Sequence, residues 1–373
     1  MQRIFHTPEG VRDITGEECA QKQRLQEKLR DVFRRYGCRE IETPTFEYFE
    51  VFGNEVGTIP SRELYKFFDR EGNTLVLRPD FTPSVSRACA SYYDPETEPI
   101  SLFYTGKTFI NHSSLRGQLR ETTQIGVERF GDASADADAE LLAMTVECLL
   151  TAGLTEFQVS VGQVNYFKSL VAEAAFDEDT ELEIRELISQ KNEFGVDSLV
   201  REKHLPEHLA DVFVSLPSLY GGRDVLDKAR GMTDNPVALE AVDRLIRIYD
   251  ILSLYGYENY ISFDFGMLSK YRYYTGIIFQ AYTYGTGEPV IKGGRYDQLL
   301  KHFGTPSPSI GFGIVIETLY LALSRQKLLS PIQDDVLEIT FTDKEREGAI
   351  KKAMTLRAEG KAVRLIRKEG PAL

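Results

Sequence analysis

The segment Glu121-Thr122-Thr123-Gln124-Ile125-Gly126-Val127-Glu128-Arg129-Phe130 reads as a β-strand, paired with Leu102–Ile110 around the polar, Gly-containing loop Asn111–Arg120. The rest of the chain is placed outward from that pair. Ser134–Gly153 mixes small, acidic and apolar residues with a helical period closed by Gly153, and Thr155–Gly162 reads as a strand. In the other direction, Phe81–Ser91 looks helical. Leu64–Phe68 and Thr74–Leu77 form a hairpin joined by the turn-like Asp69-Arg70-Glu71-Gly72-Asn73. Cys38–Phe46 reads as one strand. Glu17–Tyr36 reads as an amphipathic helix with apolar Leu25, Leu29, Val32 and Phe33, and with Gly37 as its stop.

Beyond these elements, residues from about 166 to 257 are helical in pattern throughout and read as an inserted module, broken near Pro206, Pro217 and Gly221-Gly222. Strands resume at Tyr260–Asp264 and Gly276–Tyr284. Gly293-Gly294 reads as a turn, and Ser309–Leu323 as a strand running into a helix. Asp335–Thr342, Lys344–Glu359 and Lys361–Ile366 read as strand, helix, strand, about the smallest βαβ unit and too small to bury a core of its own. The expected division is a core over residues 1–328 and a C-terminal segment over 329–373. The class is α+β with a mostly antiparallel sheet.

The 373 residues are 42% hydrophobic and 27% charged, ordinary for a soluble globular protein. No signal-like apolar run opens the chain, and no stretch of about 18 apolar residues is present to span a membrane, so a cytoplasmic place is expected. Cys19, Cys38, Cys89 and Cys148 are scattered, so neither a metal site nor a cofactor is expected from them. A net charge of −13 without a basic run argues against nucleic-acid binding.

Several separated segments then carry a resemblance. They are Thr43-Pro44-Thr45-Phe46-Glu47, Leu77-Arg78-Pro79-Asp80-Phe81-Thr82, Gln124-Ile125-Gly126-Val127-Glu128, Ala137-Asp138-Ala139-Glu140, Tyr273-Tyr274-Thr275-Gly276, Gly293-Gly294-Arg295-Tyr296-Asp297 and Gly311-Phe312-Gly313-Ile314. In this order they resemble histidyl-tRNA synthetase. The resemblance implies a class II aminoacyl-tRNA synthetase-like antiparallel sheet flanked by helices, working as a dimer whose contact is built by the segment around Thr43–Phe52. The C-terminal segment resembles the opening of that family's anticodon-binding domain.

The departures fall on the ATP side. Adenylation moves charge onto phosphate oxygens, and positioned arginines stabilise it. At the family's arginine positions this chain has Ile110, Gln118, Ser269 and Thr318, and His112 replaces a Glu. Four such contacts at roughly 2–5 kcal/mol each come to about 8 kcal/mol or more after allowance for non-additivity. That is on the order of six decades in rate or binding. Lys107, Arg120, Lys270 and Arg272 are the basic residues nearby.

The amino-acid side is kept. By resemblance, Asp80, Thr82 and Gln124 meet an ammonium group, and Glu128 and Tyr274, next to Tyr273, meet an imidazole. Each residue also has a plainer reading. Asp80 and Thr82 suit a helix cap, Glu128 a solvated strand face, and Tyr273 and Tyr274 a core or rim. Arg78 reads as structural, paired with a carboxylate. His6, His204, His208 and His302 read as ordinary polar residues.

Two functions follow. A synthetase-like core with degraded ATP motifs is the profile of the regulatory subunits of ATP phosphoribosyltransferase. The resemblance implies a non-catalytic partner of that enzyme's catalytic subunit in histidine biosynthesis, with histidine as effector and no tRNA bound. The alternative is a divergent histidyl-tRNA synthetase.

Overall fold

The structure, a computed structural model, describes residues 6–53, 59–113, 118–268, 273–332 and 336–368. Its strands are β1 (Arg39–Glu40), β2 (Phe46–Tyr48), β3 (Lys66–Phe68), β4 (Thr74–Leu77), β5 (Ile100–Phe109), β6 (Glu121–Phe130), β7 (Phe157–Gln163), β8 (Tyr220–Gly221), β9 (Ile261–Asp264), β10 (Ile277–Thr283), β11 (Ile291–Arg295), β12 (Ser309–Val315), β13 (Leu337–Phe341) and β14 (Val363–Arg367). The chain divides into two units. Lys22–Leu329 with the residues up to Thr15 forms one, and Ser330–Leu373 with Gly16–Gln21 the other.

The large unit is built on a sheet of order β1-β5-β6-β12-β11-β10-β7-β9-β8. Its pairs are antiparallel except β1 with β5 and β7 with β9. A smaller antiparallel sheet, β2-β4-β3, lies beside it in the same unit. In the small unit β13 and β14 pair in parallel, Leu337 opposite Val363, on either side of the helix Arg346–Ala358.

The alternation of β6 decides which face does what. Ile125 and Val127 are fully buried in the main core, with Phe103 of β5, Ile310, Phe312 and Ile314 of β12, and the helix Ala135–Ala152. Each such side chain contributes on the order of 1.5–3 kcal/mol by leaving water. The period of two then turns Gln124, Gly126 and Glu128 to the opposite face, which holds the cavity described below. The helix Ala135–Ala152 starts where the Ser134 hydroxyl accepts the Ala137 amide at 3.1 Å. It is tied to the sheet by a buried ion pair: Arg295 Nη2 donates to Asp138 Oδ1 at 2.6 Å and Arg244 Nε to Oδ2 at 2.7 Å. Two of the motif segments, around Asp138 and Arg295, therefore meet in a structural contact.

Three expectations are corrected. Cys38–Phe46 is not one strand but the two-residue β1 and the separate β2. Pro44 has no amide to give a ladder, and the carbonyls of Thr43 and Pro44 accept from Arg78 instead, at 2.7 and 3.1 Å. Gly293-Gly294 is not a turn but the middle of β11, where a Cβ on Gly293 would meet the Phe279 ring at 2.4 Å and one on Gly294 the Tyr274 ring at 2.6 Å. The stretch from 166 to 257 is helical apart from Tyr220–Gly221, which pairs with β9 at the sheet's end. So short a strand has no period of its own for a sequence to display.

Candidate functional site

A cavity of about 200 Å³ opens over β6, β11 and β12. Asp80, Thr82, Gln124, Glu128, Tyr273 and Tyr274 all line it, together with Ile110 and Thr318. Gln124 and Glu128 come from one face of β6, and Asp80 and Thr82 from the start of the helix Thr82–Tyr92.

Glu128 is the centre of the arrangement. It is 1% exposed, so the solvated-face reading fails. Thr82 Oγ1 donates to its Oε1 at 2.7 Å, Tyr104 donates to the same oxygen at 3.5 Å, and Tyr296 donates closely to Oε2. Burial pushes the carboxyl up to about 8. The Tyr296 and Thr82 hydroxyls pull the other way, and nearby Asp80 adds to the rise. Burial and the neighbouring Glu128 hold the Tyr104 and Tyr296 hydroxyls well above the usual phenol range, so both remain donors. Thr82 caps nothing: its hydroxyl is committed to Glu128, and the helix begins without a side-chain cap. Asp80 Oδ1 accepts the Phe81 amide at 2.7 Å and Gln124 Nε2 at 3.3 Å, which sets a second acidic corner. The Tyr273 and Tyr274 rings pack at 4.3 Å between centroids.

Room for these side chains is made by glycines on facing strands. Gly311 of β12 sits opposite Glu128 in register, and its Cβ would fall 1.7 Å from Oε2 and 2.6 Å from the Val127 carbonyl oxygen. A Cβ on Gly313 would fall 2.3 Å from Gln124 Nε2, and one on Gly126 would fall 2.5 Å from the Tyr104 hydroxyl.

The positions matched to the family's ATP contacts are spread more widely. Ile110 and Thr318 put a branched alkyl group and a short hydroxyl on the cavity wall. Gln118 donates to Glu288 at 3.0 Å, a carboxylate that also lines the cavity. His112 is not among the lining residues, and its carbonyl accepts from Arg120 Nε at 3.2 Å. Ser269, with Lys270 and Arg272, lies outside the described residues. Lys107 is engaged with Glu121 at 3.1 Å and Arg120 with Glu9 at 3.7 Å. Beside Thr318, Glu317 accepts from the buried Lys22 at 2.6 Å and from the Thr123 amide at 2.8 Å.

Arg78 is structural as expected, but its partners are carbonyl oxygens of Thr43, Pro44 and Lys107 and the face of the Phe81 ring, in place of a carboxylate. Sequence reasoning missed Tyr104 and Tyr296 as partners of Glu128, although Tyr296 lies in a motif segment. The available signal was strand register: Tyr104 pairs with Gly126, on the same face as Glu128.

Known proteins resemble the chain over most of its length. A family model of histidyl-tRNA synthetase matches residues 10–319. The ATP phosphoribosyltransferase regulatory subunit of Acetivibrio thermocellus is 38% identical over 360 residues, covering 96% of this chain and 86% of that protein. The one from Thermoanaerobacter pseudethanolicus is 38% identical over 364 residues, covering 97% and 94%. A crystal structure described as an ATP phosphoribosyltransferase regulatory subunit/histidyl-tRNA synthetase from Bacillus halodurans superposes with a TM-score of 0.90 at 33% identity, covering 100% of this chain and 95% of that one. Histidyl-tRNA synthetase from Nostoc shares the fold, with a TM-score of 0.82 at 20% identity. With relatives at this identity over nearly its whole length, the chain belongs to the ATP phosphoribosyltransferase regulatory subunits, on the histidyl-tRNA synthetase fold.

Proposed function

We propose that the chain is a non-catalytic subunit that binds histidine in this cavity and transmits its occupancy to the catalytic subunit of ATP phosphoribosyltransferase, in the first step of histidine biosynthesis. One observation carries the reading. A single cavity holds an enclosed Glu128 and an Asp80–Gln124 corner, while Ile110 and Thr318 stand at two of the family's arginine positions. The first two features suit an imidazole and an ammonium group. The last two remove charge that a triphosphate requires. Histidine changes the partner's activity only if it binds the active and inactive assemblies with different affinity.

The same reading has the chain act as a homodimer in the cytoplasm, without tRNA. The β2-β4-β3 sheet supports a dimer: Phe46 and Phe68 are 52% and 71% exposed there, and aromatic side chains on an open sheet invite a second surface. The small unit, one helix across two parallel strands, fits the opening of an anticodon-binding domain.

The test is calorimetric titration of histidine into wild type and Glu128→Ala, with and without the catalytic subunit. Loss of a charged hydrogen bond costs about 1.5–3 kcal/mol of binding, while assembly with the partner is unchanged. Wild-type affinity and response in Glu128→Ala place the effector elsewhere. Histidine-dependent ATP–pyrophosphate exchange at the rate of an ordinary synthetase overturns the non-catalytic reading altogether.

A further inference from the structure

Glu128, Asp80 and Glu288 bring three carboxyl groups to one cavity, and Glu288 is engaged with Gln118. The groups that face Glu128 are hydroxyls: Thr82 from the helix start, Tyr104 from β5 and Tyr296 just beyond β11. The facing residue on β12 is Gly311, and the Tyr273–Tyr274 pair stands on the same wall. Asp80 is the charged group that acts on it most strongly, and Lys292 is the one Lys or Arg among the described lining residues. Among the described residues, no cation is seen to pair with Glu128. Among the described residues nothing in contact with Glu128 balances its ionised form, and a cationic ligand would supply that charge.

Resting on the histidine reading above, we propose that the cavity binds its ligand's ring as an imidazolium, the ring nitrogen accepting the proton that Glu128 carries in the ligand-free protein. The O–H bond of the Glu128 carboxyl breaks, one N–H bond forms on the ring, and no proton is exchanged with solvent. A carboxylic acid donates through one oxygen, so one of the three hydroxyls in contact must accept from it rather than donate. A carboxylate accepts from all three and gains an ion pair with the ring. Burial holds Glu128 up to about 8, against roughly 6.5 for an imidazole, so an isolated acid keeps the proton by a factor of about thirty. An opposite charge in contact shifts such a group by about one to three pH units, a range that spans this gap of about 1.5. The pair therefore ionises.

The measurement uses histidine labelled with ¹⁵N at both ring nitrogens, bound to the intact chain at pH 7.5, where the free ring is largely neutral. Both bound nitrogens are expected to give the imidazolium pattern. At pH 7, calorimetry in two buffers of different ionisation enthalpy is expected to show no more than about 0.2 protons exchanged per ligand. Glu128→Gln, where it binds, returns the ring to the neutral pattern, and the wild-type spectrum decides the matter whether or not the variant binds. Two unequal nitrogens of a neutral tautomer in wild type, or release of nearly one proton at pH 7, overturn the inference and leave histidine binding standing. Absence of any bound spectrum at millimolar histidine overturns the assignment of the cavity, and the inference with it.

Discussion

Replacing Glu128 by Gln removes an ionisable group but keeps its shape, and the effect on stability has a definite sign. In the folded chain the carboxyl is held up to about 8 by burial, against an ordinary 4.5. Between those two values the folded state keeps a proton that the unfolded state has lost. Stability from this group is therefore fully present below about pH 4.5, falls as pH rises through the window, and levels off above 8. One proton corresponds to about 1.4 kcal/mol per pH unit, so between pH 5.5 and 8 the wild type loses on the order of 3 kcal/mol through Glu128. In a unit of this size that is roughly 5 °C in the unfolding midpoint. The assay is thermal unfolding followed by circular dichroism from pH 5.5 to 8.5, without histidine, on wild type and Glu128→Gln. The wild-type midpoint is expected to fall across the window relative to that of the variant. Midpoints that run parallel would refute the claim that a buried, protonated Glu128 sits in the folded protein.

Gly311→Ala places a methyl group against Oε2 of Glu128 and the Val127 carbonyl, so about 1–3 kcal/mol of stability is lost. Calorimetry should find histidine bound at least about tenfold more weakly, the scale of one misplaced charged hydrogen bond, and unchanged affinity would show that the carboxyl has room to move. Asp138→Asn leaves Arg295 and Arg244 without their shared carboxylate, at a cost of about 3–5 kcal/mol read from the urea midpoint; a shift under 1 kcal/mol would mean the pair is solvated. Phe46→Ser together with Phe68→Ser should convert the proposed dimer to monomer in sedimentation at micromolar concentration; a dimer in both wild type and variant would exclude the β2-β4-β3 sheet as its contact, and a monomeric wild type would refute the dimer itself.

What the sequence disclosed was mostly local or periodic. The pairing of β5 with β6 around a polar loop, the helix after Ser134, and the C-terminal strand–helix–strand each follow from spacing between neighbours. Glu128 and Gln124 were legible as site residues through the family resemblance, and the strand's period of two puts them on one face. The rest depended on contacts far apart in the chain. Nothing near Glu128 announces that Tyr296, 168 residues later, donates to it. Nothing near Gly293 announces a ring from β10, so two adjacent glycines read as a turn when close approach was the reason for them. Arg78 was recognised as structural, yet its carbonyl partners only exist once Thr43 and Pro44 have left the ladder.

The glycines of β12 have a consequence for heredity. Gly311 and Gly313 carry no side chain, yet each holds open the space that a polar side chain of β6 occupies. Most single-base changes in a glycine codon install a side chain. Under the proposed function, a population selected to overproduce histidine would find escape routes at two positions that carry no recognising side chain. In such alleles every recognising residue would still be encoded, and the response would be silenced by bulk alone.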